Sequence, residues 1–152
     1  MERPKIIRAN PPLIALIEQT FPIKGREILF AWGDTIYNPA GIDPIPEALI
    51  RHELVHMHRQ GSYVTEWWQK YLTDPEFRLM EEIPAHVVEY GAWIATPGIS
   101  RTQRRFVLRK VAERLSSQLY GGLVTFAHAR DMIKRLERES RGTDPERSGL
   151  QD

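Results

Sequence analysis

Apolar residues recur along this chain at two spacings, which predict a short extended region followed by a series of helices. In segment 27–37 the apolar residues stand close together on either side of Gly33-Asp34, a typical turn pair, so a β-hairpin is expected there. From Pro46 onwards they repeat every three or four positions, which indicates amphipathic helices. The pattern predicts an α+β protein that is predominantly α, with a small N-terminal hairpin or sheet packed on the first long helix.

Capping residues and helix breakers set the expected helix boundaries. Proline is tolerated in a first helical turn, so Pro11 and Pro12 can open a short helix. Asp74 and Ser100 are suitable N-caps, Gly61 ends a helix, and Pro84 is expected to kink the helix that contains it because it lacks a backbone donor. The longer helices are predicted over residues 46–60, 65–72, 75–94, 100–120 and 125–138.

Two groups of apolar residues are expected to be buried. Those of the helix 46–60 are predicted to form its inward face: Leu49, Ile50, Leu54 and Met57. The aromatic residues that follow are predicted to pack in the core: Trp67, Trp68, Tyr71, Phe77 and Trp93.

Length and composition indicate one folded unit. The 152 residues suit a single domain, which we expect over 1–139, followed by a polar and flexible tail over 140–152. Cysteine is absent, so disulfides, cysteine-zinc sites and a thiol nucleophile are excluded, and a metal would be held by His, Asp or Glu. No apolar stretch is long enough for a signal peptide or a membrane span, so synthesis in the cytoplasm is expected.

Charge argues against a general phosphate-binding role. The net charge is only +1, and the local run of basic residues carries no recognised reading motif, so it is expected to be a solvated helical face and nucleic-acid binding is not expected. The run comprises Arg101, Arg104, Arg105, Arg109, Lys110 and Arg114.

The segment His52-Glu53-Leu54-Val55-His56 carries the clearest chemistry. Residues four apart share one face of a helix, so His52 and His56 can both reach one zinc ion. Glu53 leaves the same turn at another angle, where it can take a proton from the metal-bound water instead of binding the metal. The other two histidines, His58 and His128, are expected to be solvated.

The motif needs a third protein ligand, because a catalytic zinc keeps three ligands and one open position. A downstream histidine of the metzincin type is excluded, since Arg59 and Ser62 stand where that pattern requires glycine and histidine. The candidates are therefore carboxylates on the next long helix, namely Glu81, Glu82 and Glu89.

The segment Glu82-Ile83-Pro84-Ala85-His86 resembles the ExxA segment of small gluzincins, compact zinc metallopeptidase-like domains sometimes called minigluzincins. The resemblance implies one Zn²⁺ per chain held by His52, His56 and Glu82, with Glu53 as general base. More narrowly, residues 27–136 resemble small HExxH proteins of tailed phages and prophages. Pro84 departs from the gluzincin pattern, as does His86, which stands where that segment often has Asn or Asp.

The resemblance also implies a second donor that stabilises the oxyanion. Chemically able residues are Tyr37, Tyr63, Arg78, His86 and Tyr90. His86 and Tyr90 are kept as candidates for supporting a metal ligand by hydrogen bonding or for stabilising the oxyanion, and His86 could alternatively be a ligand.

The predicted function is that of a zinc-dependent metallopeptidase acting on a peptide or protein substrate, which the hairpin edge would align. The alternative is a phage virion or assembly protein that keeps the metal-binding fold and binds other phage structural proteins within a particle. Intact Glu53 favours catalysis, because zinc binding alone does not need it.

Overall fold

A computed structural model describes residues 3–142 and confirms a mostly helical α+β fold with a small sheet near the N-terminus. The strands are β1 (Lys5–Ile7), β2 (Phe30–Trp32) and β3 (Thr35–Tyr37). The helices are α1 (Ile14–Thr20), α2 (Glu47–Gln60), α3 (Val64–Thr73), α4 (Pro75–Ile94), α5 (Arg101–Leu115) and α6 (Phe126–Gly142), with a 3₁₀ turn at Gln118–Tyr120.

The sheet has the order β1-β3-β2. Strands β2 and β3 form the predicted antiparallel hairpin, in which Trp32 pairs with Thr35 across the turn. Strand β1 pairs in parallel with β3 and was not predicted, because its three residues are all exposed and show no alternation. Parallel strands are joined by a long connection, so their pairing depends on residues far apart in the sequence and produces no local sequence pattern.

Two helix boundaries follow directly from their caps. The Asp74 carboxylate accepts from the backbone N–H groups of Glu76 and Phe77 at the start of α4. Ser100 and Gln103 form a capping box at the start of α5. These local hydrogen bonds explain why both helix starts could be predicted from the sequence.

Two hydrophobic clusters flank the centre of the molecule. The first lies between the sheet, α1 and α3 and contains Phe21, Trp67 and Tyr71. The second lies between α4, α5 and α6 and contains Leu115 and Ile133. Most of the aromatic residues predicted to be buried belong to the first cluster or pack against it, whereas Trp93 packs against the second.

The predicted inward face of α2 is wrong. The residues of this helix that are buried are mostly polar: Ala48, His52, Glu53, His56 and Gln60. The four apolar residues predicted to face inwards are only half-buried. Burying polar side chains requires partners for them, so this reversal identifies α2 as the helix that carries a polar site.

The C-terminal helices differ from the prediction in their ends. Helix α5 ends at Leu115 and is followed by the separate 3₁₀ turn, while α6 continues to Gly142 and so passes the predicted tail boundary at 139. The remainder of the predicted tail, 143–152, lies outside the described residues. Within residues 3–142, no helix is long and apolar enough to cross a membrane.

Candidate metal centre

Three buried side chains from α2 and α4 converge on one point. His52 and His56 lie one turn apart on α2, and Glu82 comes from α4, which packs against α2. The Nε2 atoms of His52 and His56 are 3.2 Å apart. Glu82 Oε2 is 3.5 Å from His52 Nε2, and Glu82 Oε1 is 3.4 Å from His56 Nε2. This group could hold a metal ion.

The spacing of the three groups fits a tetrahedral ion. Zinc binds imidazole nitrogen and carboxylate oxygen at about 2.0–2.2 Å, so tetrahedral angles put neighbouring ligand atoms roughly 3.3–3.6 Å apart. The observed separations of 3.2, 3.4 and 3.5 Å lie in that range or within about 0.1 Å of it, the last two being measured to the two different oxygens of Glu82. Glu82 Oε2 is also buried without a hydrogen-bond partner among residues 3–142, which is costly for a carboxylate oxygen unless a cation satisfies it.

Glu82 is held in place by a tyrosine of the first hydrophobic cluster. The Tyr71 hydroxyl on α3 donates to Glu82 Oε1 at 2.5 Å. Burial by itself raises the pKa of Glu82, but His56 and His52 outweigh it and hold that pKa well below its usual value. Burial, together with Glu82, raises the pKa of Tyr71 well above its usual value. Tyr71 therefore stays a donor and Glu82 stays an anion at neutral pH.

His52 is oriented from behind by Glu89, seven residues after Glu82 on α4. Glu89 Oε1 lies 2.9 Å from His52 Nδ1 and also accepts from the Arg114 guanidinium, while Oε2 accepts from Trp93 Nε1 at 3.2 Å. Burial raises the pKa of Glu89, but His52 and Arg114 outweigh it and lower that pKa to about 2. Once the ring is neutral, a carboxylate at Nδ1 selects the tautomer that leaves Nε2 free for a metal.

Glu53 lies beside the three groups without joining them. It is 8% exposed and makes no hydrogen bond or ion pair with any residue from 3 to 142. Burial raises the pKa of Glu53, and the neighbouring His52 and His56 only partly offset this. The carboxylate is therefore a stronger base than an exposed one, and no group among residues 3–142 binds it.

Two small cavities meet at the centre. One, the aromatic cavity, has a volume of about 70 Å³ and is lined by Phe21, Trp67 and Trp68 among others. The other, the Arg114 cavity, has a volume of about 100 Å³. They share the residues at their junction, which are Ile28, Leu29, His52, Glu53, Leu119 and Tyr120. A molecule bound at the centre would thus extend into both cavities and contact the 3₁₀ turn that lines them.

Tyr120 is a donor at the centre that was not among the candidates predicted from the sequence. Its hydroxyl makes no hydrogen bond to the described part of the chain, and its backbone carbonyl accepts from Arg78 Nη1 at 3.0 Å. Burial and the charge of Glu82 raise the pKa of Tyr120 well above its usual value, so the phenol keeps its proton. This side chain lines both cavities.

Several residues considered from the sequence have other roles in the structure. Of the three candidate carboxylates, Glu81 binds Arg59 at 2.6 and 3.1 Å instead of reaching the centre. Arg78 donates to the carbonyls of Tyr71, Leu72 and Tyr120. It therefore links α4 to α3 and to the 3₁₀ turn by hydrogen bonds.

The tyrosines considered as donors are not brought to the centre. Tyr90 was predicted to support a metal ligand or the oxyanion. This prediction requires a correction, because Tyr90 packs in the second hydrophobic cluster. Burial and the charge of Glu137 raise the pKa of Tyr90, while the charge of Arg104 lowers it. Tyr63 is 69% exposed and Tyr37 packs against the first cluster, so neither lines a cavity at the centre.

His86 is a neighbour of the centre, packed against the ring of His52 at 4.7 Å. Its Nδ1 lies 2.7 Å from the Glu82 carbonyl oxygen, to which it donates. Its Nε2 has no partner among the described residues. Burial lowers the pKa of His86 to about 3, so the ring is neutral. The three-residue group does not include it, which agrees with a supporting position.

The sequence contains a signal for the supporting position of Glu89, which was considered only as a candidate ligand. Glu82, His86 and Glu89 stand at positions i, i+4 and i+7, which is one face of α4, and all three are buried. Tyr71, Arg114 and Tyr120 carry no such signal, because they come from three other segments that only the fold brings here. No protein-family model matches the chain, and no curated protein or solved structure is significantly similar to it. Function must therefore be inferred from the site itself.

Proposed function

We propose that this chain is a zinc-dependent peptidase in which His52, His56 and Glu82 hold one zinc ion and Glu53 is the general base. The observation that carries the proposal is a buried carboxylate, Glu53, which makes no hydrogen bond or ion pair among residues 3–142 and lies beside a His-His-Glu group that could hold a metal ion. A site for metal storage or structure needs three or four ligands but no such base.

The chemistry divides between the ion and the side chains. A zinc ion bound there would polarise the scissile carbonyl and lower the pKa of water. Glu53 takes the proton of the attacking water and later returns it to the leaving amine. The buried setting that raises the pKa of Glu53 makes it a better base for the first of these transfers.

Three neighbours prepare the centre. Glu89 holds His52 in the metal-binding tautomer, and Tyr71 fixes the Glu82 carboxylate. Tyr120 supplies a phenol donor, without an acceptor in the described chain, at the junction of both cavities. An oxyanion that develops at the scissile carbonyl would accept from such a donor.

The outer edge of β2 does not serve as a complete template for an extended substrate. The carbonyl oxygen of Ala31 already accepts from Gln60 Nε2 at 2.9 Å and from Trp68 Nε1 at 3.1 Å. Strand addition needs that acceptor to be free. A substrate is therefore held mainly by the two cavities.

Metal content tests the centre. We would purify the chain without a histidine tag and measure its metals by elemental analysis. The wild type should hold about one zinc per chain, and His56→Ala should lose it because two ligands hold zinc poorly. His58→Ala is the matched control, since His58 is an exposed histidine on the same helix. A wild type that binds no zinc, even after zinc is added back, would refute the metal centre.

Hydrolysis tests the role of Glu53. The zinc-loaded protein should cleave members of a pool of short peptides. Glu53→Gln should keep its zinc while cleaving about 10²–10⁴-fold more slowly, because a positioned base contributes a factor of that size. Glu47→Gln, a change at an exposed position of the same helix, should cleave like the wild type. Full activity in Glu53→Gln would show that the assigned mechanism is wrong.

A further inference from the structure

The Arg114 guanidinium has hydrogen-bonding capacity that the proposed function leaves unused. A guanidinium carries five N–H donors, yet within residues 3–142 Arg114 makes one hydrogen bond, from Nη2 to Glu89 Oε1. Its side chain is 34% exposed and lines the cavity of about 100 Å³ next to His52 and Glu53. Several donors therefore remain for a ligand in that cavity.

The unused groups favour a ligand that accepts hydrogen bonds. Tyr120, in the same cavity, also has a hydroxyl without an acceptor in the described residues. The buried acids that line the cavity already have roles. Glu89 binds both His52 and Arg114, and Glu53 is the general base of the proposed function. Glu27 is exposed. A guanidinium with free N–H groups binds a carboxylate best, because two parallel hydrogen bonds can form.

The aromatic cavity favours an apolar group next to that carboxylate. Its side chains are mostly apolar, including Ile17, Phe21 and Trp67. Its volume of about 70 Å³ is roughly half that of the apolar cavity of about 150 Å³ that holds benzene in another protein. The space suits an aliphatic side chain better than an aromatic ring.

We propose that the centre recognises the C-terminal residue of a peptide, with Arg114 binding the free carboxylate and the aromatic cavity taking an aliphatic side chain. The cavities adjoin at His52 and Glu53, so one residue can occupy both. The assignment of a reaction rests on the proposed function: water adds across the last peptide bond, the C–N bond breaks, and the terminal amino acid leaves as its amine.

Binding to the metal-free protein tests the carboxylate site without relying on catalysis. The probes are N-acetyl-L-leucine and N-acetyl-L-leucinamide, which differ only at the carboxylate, and binding is followed by NMR titration. The wild type should bind the acid at least about ten-fold more tightly than the amide, as expected for a charge-assisted hydrogen bond. Equal binding of the two probes by the wild type would overturn the proposal whatever the variants do.

Variants assign any preference to Arg114. Arg114→Met should bind both probes equally, while Arg114→Lys should keep part of the preference because the charge remains. Arg109→Met is the matched control, since Arg109 lies on the same helix with an exposed side chain that pairs with Glu113, and it should behave like the wild type. An acid preference that persists undiminished in Arg114→Met would place the carboxylate elsewhere and refute the assignment.

Hydrolysis by the zinc-loaded protein separates this proposal from the proposed function. Peptides ending in leucine should be cleaved at least about ten-fold faster as free acids than as C-terminal amides. Equal cleavage would refute terminal recognition and leave the peptidase intact. A peptide that ends in glutamate and has an amidated C-terminus should also be cleaved slowly. If it is cleaved as fast as the free acids, terminal recognition is refuted, since a side-chain carboxylate would then suffice. If no peptide is cleaved but the acid still binds through Arg114, the carboxylate site stands and the peptidase does not.

Discussion

At the scale of single residues, His52 has close partners at both of its ring nitrogens. Its Nε2 faces His56 and Glu82, and its Nδ1 faces Glu89. Burial lowers the pKa of His52, but the carboxylates of Glu82 and Glu89 outweigh burial and raise that pKa to about 10. In the metal-free protein the ring is therefore a cation at neutral pH, held between two anions.

This charge state predicts that metal binding depends on pH. A metal ligand must be neutral imidazole, so the ion has to displace a proton from His52 at any pH below about 10. We expect about one proton to be released per zinc ion near neutral pH, and zinc affinity to rise about ten-fold per pH unit between about pH 6 and pH 8. Calorimetry in two buffers of different ionisation enthalpy, with competition against a chelator, measures both. Affinity that stays constant over that range would contradict the assigned charge.

At the scale of elements, the 3₁₀ turn Gln118–Tyr120 depends on the glycine that follows it. Gly121 has φ +92°, and an added Cβ would lie 3.1 Å from Arg78 Nη1. That nitrogen donates to the Tyr120 carbonyl at 3.0 Å. Gly121 thus permits both the backbone turn and the close approach of the arginine that holds Tyr120 over the two cavities.

Gly121→Ala should therefore destabilise the protein for two reasons. A left-handed backbone costs an alanine about 1–2 kcal/mol, and displacement of Arg78 adds the loss of a charged hydrogen bond, about 1.5–3 kcal/mol if complete. Gly98→Ala is the matched control, because Gly98 has φ +75° with nothing within 4 Å of an added Cβ. Urea unfolding should show a larger loss for Gly121→Ala. Equal losses would mean that Arg78 does not depend on this glycine.

At the scale of the whole molecule, the candidate metal centre connects the two hydrophobic clusters. The His56 ring packs against Trp67 of the first cluster at 5.5 Å. Through Glu89, His52 is linked to Arg114 on α5, the helix that contributes Leu115 to the second cluster. Unfolding the part of the chain that forms either hydrophobic cluster would separate the ligands or break the contacts that orient them.

Zinc should consequently stabilise the entire fold. A ligand that binds only the folded state at about 100 times its Kd adds about 2.7 kcal/mol to the free energy of unfolding. For a chain of 152 residues, this raises Tm by roughly 5–10 °C. Calorimetry with zinc and after its removal by a chelator measures the shift, and His56→Ala should show none. An unchanged Tm in the wild type at saturating zinc would contradict an ion held between the two hydrophobic clusters.

Local features of the sequence determined the fold class, the cap-defined helix starts at Asp74 and Ser100, the hairpin and the candidate ligands His52 and His56. Each depends on residues a few positions apart, whose geometry a helix or a tight turn dictates. The same locality explains the wrong face of α2, since periodicity predicts an apolar interior and α2 instead buries the polar residues of a site.

The resemblance implied Glu82 as the third ligand, but only the tertiary structure shows why this acid of α4 meets the histidines and which other side chains surround them. Three acids share this helix: Glu81, Glu82 and Glu89. Glu81 binds Arg59, and Glu89 binds His52 Nδ1 and Arg114, so Glu82 is the acid that faces both metal-binding nitrogens. Arg114 and Tyr120 arrive from segments about sixty residues away from the motif. Their positions depend on how α4, α5 and the 3₁₀ turn pack, and long-range packing has no counterpart in the local periodicity of a sequence.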